Sequence, residues 1–349
     1  MVVAPEFETK FLTNLQRLLT EGSFVATYKY ALLLALADLS VELGKDDAGS
    51  LRISTNQISE KFIEFYWRQA SPFATTHAQS GLVLAQNTGK QAGVVRLVNE
   101  FQQQHAVVLT DGKHHIAWKK LVRDVDAIVR VMPLWKLQTV GQERFDFLYE
   151  NVGQGTSIEL RTGVMFCFRK YHGLISELIK GYWARFVRRF NLEALGAVVD
   201  LHEFLFGAER SSLADVVPVL LDIQGSNCFY CRAELKKGTI DVDHFIPWSR
   251  YPVDLGHNFV LAHKQCNGAK SDMLAAEEHL HRWAGIQKDH GAGLMNAFQE
   301  RGIISELSVS LRVTQWAYAQ TFQTNGMTWR RGKELAHLSE QWAETLRAE

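Results

Sequence analysis

Residues 228–272, CFYCRAELKKGTIDVDHFIPWSRYPVDLGHNFVLAHKQCNGAKSD, are bracketed by two pairs of metal-binding side chains. Cys228 and Cys231 form a C-x-x-C pair, and His263 and Cys266 form an H-x-x-C pair. Each pair fits a knuckle turn that points two side chains at one ion. Two knuckles close a tetrahedral cage with no open position, and thiolates select Zn²⁺ over a hard cation. The expected zinc is therefore structural, holding together a module that lacks a large core.

Between the knuckles, the run from Thr239 to Ile246 alternates as a β-strand and ends at Pro247. A loop from Ser249 to His257 follows, then a second strand over Asn258–Ala262 and a helix carrying Asn267 and Lys270. This is a ββα unit. Phosphodiester hydrolysis needs a base for water, a cation beside the phosphate and stabilisation of the leaving oxygen. His244 has the right intrinsic pKa for the base. Asp243 and Asn267 offer hard oxygen ligands, and Asp241 offers a further ligand or a supporting partner. Lys270, one turn into the helix, is placed to contact a phosphate. Arg250 and Lys264 are further candidates for phosphate contact. Trp248 and Tyr251 read as loop packing, and His257 as an ordinary loop residue.

These strings resemble the HNH family of nucleases, also called ββα-metal or His-Me finger nucleases. The resemblance implies that His244 is the general base and that Asn258, on the second strand, orients the loop and the base. It implies that Asn267 binds the catalytic metal together with Asp243. Many members of that family add a zinc cage flanking the strands. The DVDH and NGAKSD strings are particularly similar to the HNH domain of RNA-guided CRISPR nucleases. Two departures matter. The third position is Asn rather than His, giving an H-N-N set whose harder amide oxygen points to Mg²⁺ or Mn²⁺. The second knuckle is H-x-x-C rather than C-x-x-C, so the expected cage is Cys228, Cys231, His263 and Cys266. The implied activity is metal-dependent cleavage or nicking of DNA, one strand per site. The implied setting is bacterial anti-phage defence or restriction, with partner proteins of a defence system. Alternatives are a mobile-element or homing nuclease, and a non-catalytic zinc-stabilised DNA-binding protein.

The resemblance covers about one seventh of the 349 residues. The length calls for two or three domains. The expected class is α+β, with a mainly helical N-terminal recognition or partner domain over 1–210 containing small hairpins. An HNH domain spans 211–285, and a helical segment spans 286–349. The 38 basic and 38 acidic side chains balance, which argues against a broad non-specific nucleic-acid binder but leaves local basic patches open. With only four cysteines, three of them in one window, a disulfide framework is excluded in favour of metal ligands. No basic-then-apolar leader opens the chain, and its most apolar run, Tyr30–Leu43, is too short to span a bilayer and contains Asp38 and Glu42. The expectation is a soluble cytoplasmic protein.

Apolar spacing predicts helices over Phe7–Thr20, Thr27–Leu43, Asn56–Gln69 with Thr55 as N-cap, Gly93–Gln104, Lys119–Val131 and His172–Phe190. Residues 71–90 read as loop and 194–224 as helical. Short strands are expected at Ala106–Thr110 and His115–Trp118, and a hairpin over 145–160 turning at Gly153 and Gly155. Helices are expected over Ala275–Trp283 and Gly332–Leu346. The stretch Arg161–Leu192 interleaves seven cations with aromatics, which suits either a phosphate-contacting surface or an amphipathic helix with a solvated basic face.

Overall fold

The computed structural model describes residues 3–73, 82–106, 108–151, 155–195, 201–207, 213–236 and 238–346. The chain divides into two compact units, Met1–Gly207 and Ala208–Glu349. The class is α+β: helices dominate, and the strands form small antiparallel pairs. Position 285, the expected end of the nuclease segment, lies inside the helix Glu277–Gln299, and residues 286–349 belong to the second unit. Among the described residues no helix is long and apolar enough to cross a membrane.

The first unit is organised by the helix Tyr28–Leu43. Its sequence is apolar on most of its surface, broken by Lys29, Asp38, Ser40 and Glu42, the pattern of a helix with little solvent face. Ala31 to Ala37 are at most 4 % exposed. Helices Thr55–Gln69, Val164–Lys170 and His172–Phe190 surround it. Burial of each leucine contributes about 1.5–3 kcal/mol relative to exposure. The last carbonyls of such a helix have no intrahelical donor. Arg169 supplies one: its Nη1 donates to the carbonyls of Ser40, Val41 and Gly44 at 3.2, 2.9 and 3.3 Å. Nε and Nη2 of the same side chain hold Asp46 at 2.9 and 2.8 Å.

Helix Thr55–Gln69 opens on a capping box, but the cap is Ser54 rather than Thr55. Ser54 Oγ accepts from the Gln57 amide at 3.2 Å, and Gln57 Oε1 accepts from the Ser54 amide at 2.9 Å. The strand Leu51–Ser54, directly before it, pairs antiparallel with Ser157–Leu160.

That pairing corrects the expected hairpin over 145–160. Its second strand forms, yet its partner lies far upstream, and the bridge Tyr149–Leu160 joins it to the first half among the described residues. Gly153 lies outside the described residues. The strands expected at Ala106–Thr110 and His115–Trp118 are also replaced: Leu109–His114 is a helical turn and the next helix starts at Trp118. A short apolar run does not discriminate strand from helix. Here Gly112 approaches Trp67 so closely that a Cβ would stand 2.6 Å from the indole, a contact open only to the folded chain. Val107 is outside the described residues, as are 74–81, 196–200 and 208–212 within the segments read as loop and as helix. Leu201–Phe206 and Val216–Gln224 are helical as expected.

The basic stretch Arg161–Leu192 resolves into two roles. Phe168, Trp183 and Phe186 enter the core. Several cations are committed locally: Arg169 as above, Lys170 to Glu8 at 2.6 Å, and Arg185 over the Tyr182 ring at 5.0 Å.

In the second unit, Ile240–His244 and Phe259–His263 form an antiparallel pair in which His244 faces Phe259 and Ile240 faces His263. Helix Lys264–Lys270 follows at once, completing the expected ββα unit. Phe245 anchors it, stacking on Trp283 with centroids 5.2 Å apart. His257, expected to be an ordinary loop residue, is a buried clamp. Its Nε2 donates to the Gly291 carbonyl at 2.9 Å and its Nδ1 accepts from Ser305 Oγ at 2.8 Å. Its carbonyl accepts from Trp283 and Gln287 at 3.0 and 3.2 Å. Burial lowers its pKa, which keeps the ring neutral and able to play both roles.

The helix expected over Gly332–Leu346 is corrected as well. Met327–Arg331 and Glu334–His337 form a hairpin, and a 3₁₀ turn covers Trp342–Leu346. Gly332 has φ +55°, which a helix interior does not accommodate. Trp329, at the hairpin's buried side, bonds the Leu274 carbonyl and the Ala276 amide at 2.8 and 2.7 Å. These tertiary contacts outweigh the helical spacing of the sequence.

Candidate active site and metal cage

The cage assembles because the two knuckles fold against each other. The Cys228 amide bonds the Ala233 carbonyl at 2.9 Å, and the Phe229 amide bonds Leu261 of the second strand at 2.8 Å. Ligand atoms of Cys228, Cys231, His263 and Cys266 all lie within 4.8 Å of one another. His263 Nδ1 stands 3.3 Å from Cys231 Sγ, while its Nε2 meets the Glu234 carbonyl at 3.0 Å. A carbonyl behind one ring nitrogen fixes the other as the ligand, the usual support for a metal-bound imidazole. Burial works against the Cys228 thiolate, but the amides of Cys231, His263 and Tyr230 outweigh it and hold its pKa below the ordinary value. Cys266 moves the other way, pushed up to about 12 by burial and the neighbouring Cys228 sulfur. Three thiols crowded with one imidazole suit a soft-liganded dication that neutralises them together, and Zn²⁺ fits this donor set.

On the strand, Asp241 and Asp243 share a face, as residues two apart do. Asp243 is 6 % exposed. Its Oδ2 accepts from the Tyr230 hydroxyl at 2.5 Å, and Lys270 Nζ stands 3.2 and 3.0 Å from its two oxygens. Lys270 has no exposed surface, and its remaining reach goes to the His244 carbonyl at 3.0 Å. Its ammonium is thus spent inside the fold rather than presented to a phosphate. Burial pushes the Asp243 pKa up and the Lys270 pKa down, and each partner opposes the other's shift. Asn267 does not bond Asp243; its Nδ2 donates to Asp241 Oδ2 at 2.7 Å. The hard oxygens expected to hold a divalent cation are therefore split, with Lys270 filling the Asp243 end and the Asn267 amide oxygen beside Asp241 at the other.

His244, the last residue of its strand, is held on three sides. Its Nε2 meets Asp254 Oδ1 at 2.7 Å. The rings of Trp248 and Phe259 approach edge-on at 5.1 and 5.0 Å. An ionised carboxylate can only accept, so Nε2 is the donor in this pair and Nδ1 is the nitrogen that Asp254 leaves to other partners. Asn258 sits one residue before the second strand, in the 3₁₀ turn Gly256–Asn258, not on the strand itself. Its Oδ1 accepts from the Ile246 amide at 2.7 Å and its Nδ2 donates to the Ile246 carbonyl at 3.0 Å. That bidentate clamp fixes the chain just beyond His244.

Asp254 and Tyr230 escaped the sequence reading. Asp254 lies in an irregular loop with no spacing rule to mark it, and Tyr230 reads only as a spacer between two cysteines. Arg250 is turned inward to Thr321 at 3.1 Å, and Tyr251 is buried beside Trp316.

A family model for HNH endonucleases matches residues 228–276, the segment that carries both the cage and the hairpin. A comparison with curated proteins finds no match. A second model, described as a domain of unknown function (DUF8808), matches residues 8–205. That is more than half of the chain. The chain therefore carries an HNH endonuclease domain and belongs to the DUF8808 family.

Proposed function

We propose that the second unit hydrolyses phosphodiester bonds in DNA, with His244 as the general base. The observation that carries this reading is the His244–Asp254 bond at 2.7 Å inside the HNH segment. Nδ1 of His244 takes the proton of the attacking water. Asp254 holds the ring in the required tautomer and stabilises the imidazolium that forms. Asn258 keeps the backbone after His244 in place through Ile246. Lys270 and Tyr230 already hold Asp243, so of the expected hard-oxygen ligands Asp241 and Asn267 are the residues that would hold Mg²⁺ or Mn²⁺. A hard dication bound there supplies charge stabilisation to the phosphoryl and leaving oxygens. The zinc cage keeps the frame and takes no part in the reaction.

The biological setting we favour is bacterial anti-phage defence or restriction in the cytoplasm. A separate helical unit joined to a compact nuclease suits recognition of DNA or of a partner protein by the first unit. The balanced charge of the chain suits an enzyme whose DNA affinity is supplemented by such a partner. The direct test is incubation of supercoiled plasmid with Mg²⁺ and either wild-type protein or His244→Ala. Nicking by the wild type alone is expected. Equal absence of nicking from both proteins would count against the enzyme and favour a zinc-stabilised binding protein.

A further inference from the structure

The first unit contains a cleft of about 820 Å³ that the nuclease reading does not use. Three arginines line it from separate parts of the fold: Arg52 on the strand Leu51–Ser54, Arg130 on the helix Trp118–Val131, and Arg161 just past the strand Ser157–Leu160. Trp135 lines it too. The other tryptophans of this unit, Trp67, Trp118 and Trp183, are at most 8 % exposed, whereas Trp135 is 43 % exposed. Trp135 shares the lining with these three guanidiniums, and its exposed indole offers a flat apolar surface with a polar N–H edge to a ligand.

The lining is ordered rather than loose. Arg52 Nε donates to Ser157 Oγ at 3.0 Å, Arg161 pairs with Glu150 at 3.2 Å, and Glu159 accepts from Ser50 at 2.6 Å. The Arg144 guanidinium lies 4.7 Å over the Trp135 ring. One face of the indole is thereby backed by a cation, and a ring has a second face. Guanidiniums select phosphate or carboxylate oxygens. An exposed indole selects a flat ring, and Glu159 and Glu150 offer acceptors for hydroxyl or amino groups. The volume falls in the range of small-ligand pockets. A simple anion would leave the indole unused, and an apolar ligand would make no use of the guanidinium donors.

We propose that this cleft binds a nucleoside phosphate, its base against Trp135 and its phosphate on Arg52 and Arg161. The ligand is either a free nucleotide or one residue of a single strand. The inference is independent of the nuclease reading, since every residue it uses lies in the first unit.

The test is calorimetric titration of the full-length protein with dAMP, dATP, inorganic phosphate and a single-stranded hexanucleotide. Saturable binding of at least one nucleotide form is expected, about tenfold or more tighter than inorganic phosphate. A mononucleotide that binds as well as the hexanucleotide identifies a free ligand; a hexanucleotide that binds much tighter identifies a strand. Trp135→Leu and the double variant Arg52→Ala/Arg161→Ala should each weaken binding about tenfold with an unchanged melting temperature. Trp135→Phe, which keeps a flat ring, should stay close to wild type. Absence of saturable nucleotide binding would overturn the proposal. So would affinity equal to that of phosphate, or affinity that Trp135→Leu and the double arginine variant leave intact.

Discussion

His244 Nε2 and Asp254 Oδ1 stand 2.7 Å apart, linking the end of a strand to the loop that follows it. If Asp254 acts by holding the imidazole, its loss appears in turnover and not in substrate affinity. Asp254→Asn should lower kcat about 10–100-fold with KM within about twofold, because the ring loses its charge partner while the surface stays. Asp254→Glu should recover part of the rate. His244→Ala should lose about 10²–10⁴-fold. Steady-state nicking of plasmid by these variants checks the set, and an Asp254 effect confined to KM would refute the orienting role.

Lys270 and Asp243 form a pair that neither water nor surface charge screens. Removing one partner of such a pair strands the other. Lys270→Met should therefore destabilise the second unit by about 3–5 kcal/mol. Tyr230→Phe, which deletes one hydrogen bond to Asp243, should cost about 1–2 kcal/mol. Urea unfolding monitored for the second unit gives both values. A Lys270→Met protein as stable as wild type, with reduced DNA affinity instead, would show that Lys270 serves the phosphate after all.

The cage should hold one zinc per chain, lost on Cys228→Ser or Cys266→Ser and weakened by His263→Ala. A strong chelator should lower the melting transition of the second unit by about 10 °C or more and leave that of the first unit in place. Elemental analysis and calorimetry read these outcomes. Full zinc content in the cysteine variants would place the metal elsewhere.

Glu64 provides a pH signature in the first unit. It meets Lys113 at 2.5 Å and Lys61 at 3.0 Å. Burial works to raise its pKa, but the two lysine charges outweigh it and hold the pKa near about 2, against an ordinary 4.5. The folded value is depressed, so the stabilisation is complete above the unfolded pKa and disappears as pH falls through the folded one. Glu64→Gln should therefore cost on the order of 2 kcal/mol at pH 7, with the gap to wild type closing between about pH 4.5 and 2. Denaturation midpoints of both proteins across that window check it, and a gap independent of pH would show that packing, not charge, is at stake.

The elements read correctly from sequence are those whose signal is local. Tyr28–Leu43 carries a dense run of apolar residues, and the helix Gly93–Gln104 is legible to the residue, because helical burial repeats within one turn or two. Errors fell where partners lie far apart. The strand Ser157–Leu160 pairs with Leu51–Ser54, and no local pattern announces a partner that distant. Leu109–His114 and Glu334–His337 depart from their sequence patterns because short segments carry little intrinsic preference and take the conformation their neighbours impose.

The same division runs through the site. By itself the sequence determined the four cage ligands, because ligand chemistry and knuckle spacing are written in adjacent residues, and it nominated His244 as a base and Asp243 and Asn267 as hard-oxygen ligands. Only the tertiary structure decided how they are used. It directed Lys270 inward to Asp243, paired Asn267 with Asp241, brought Asp254 to His244, and set Tyr230 between the cage and the strand. Buried charges must find partners wherever the fold brings them together, and that requirement acts across space rather than along the chain.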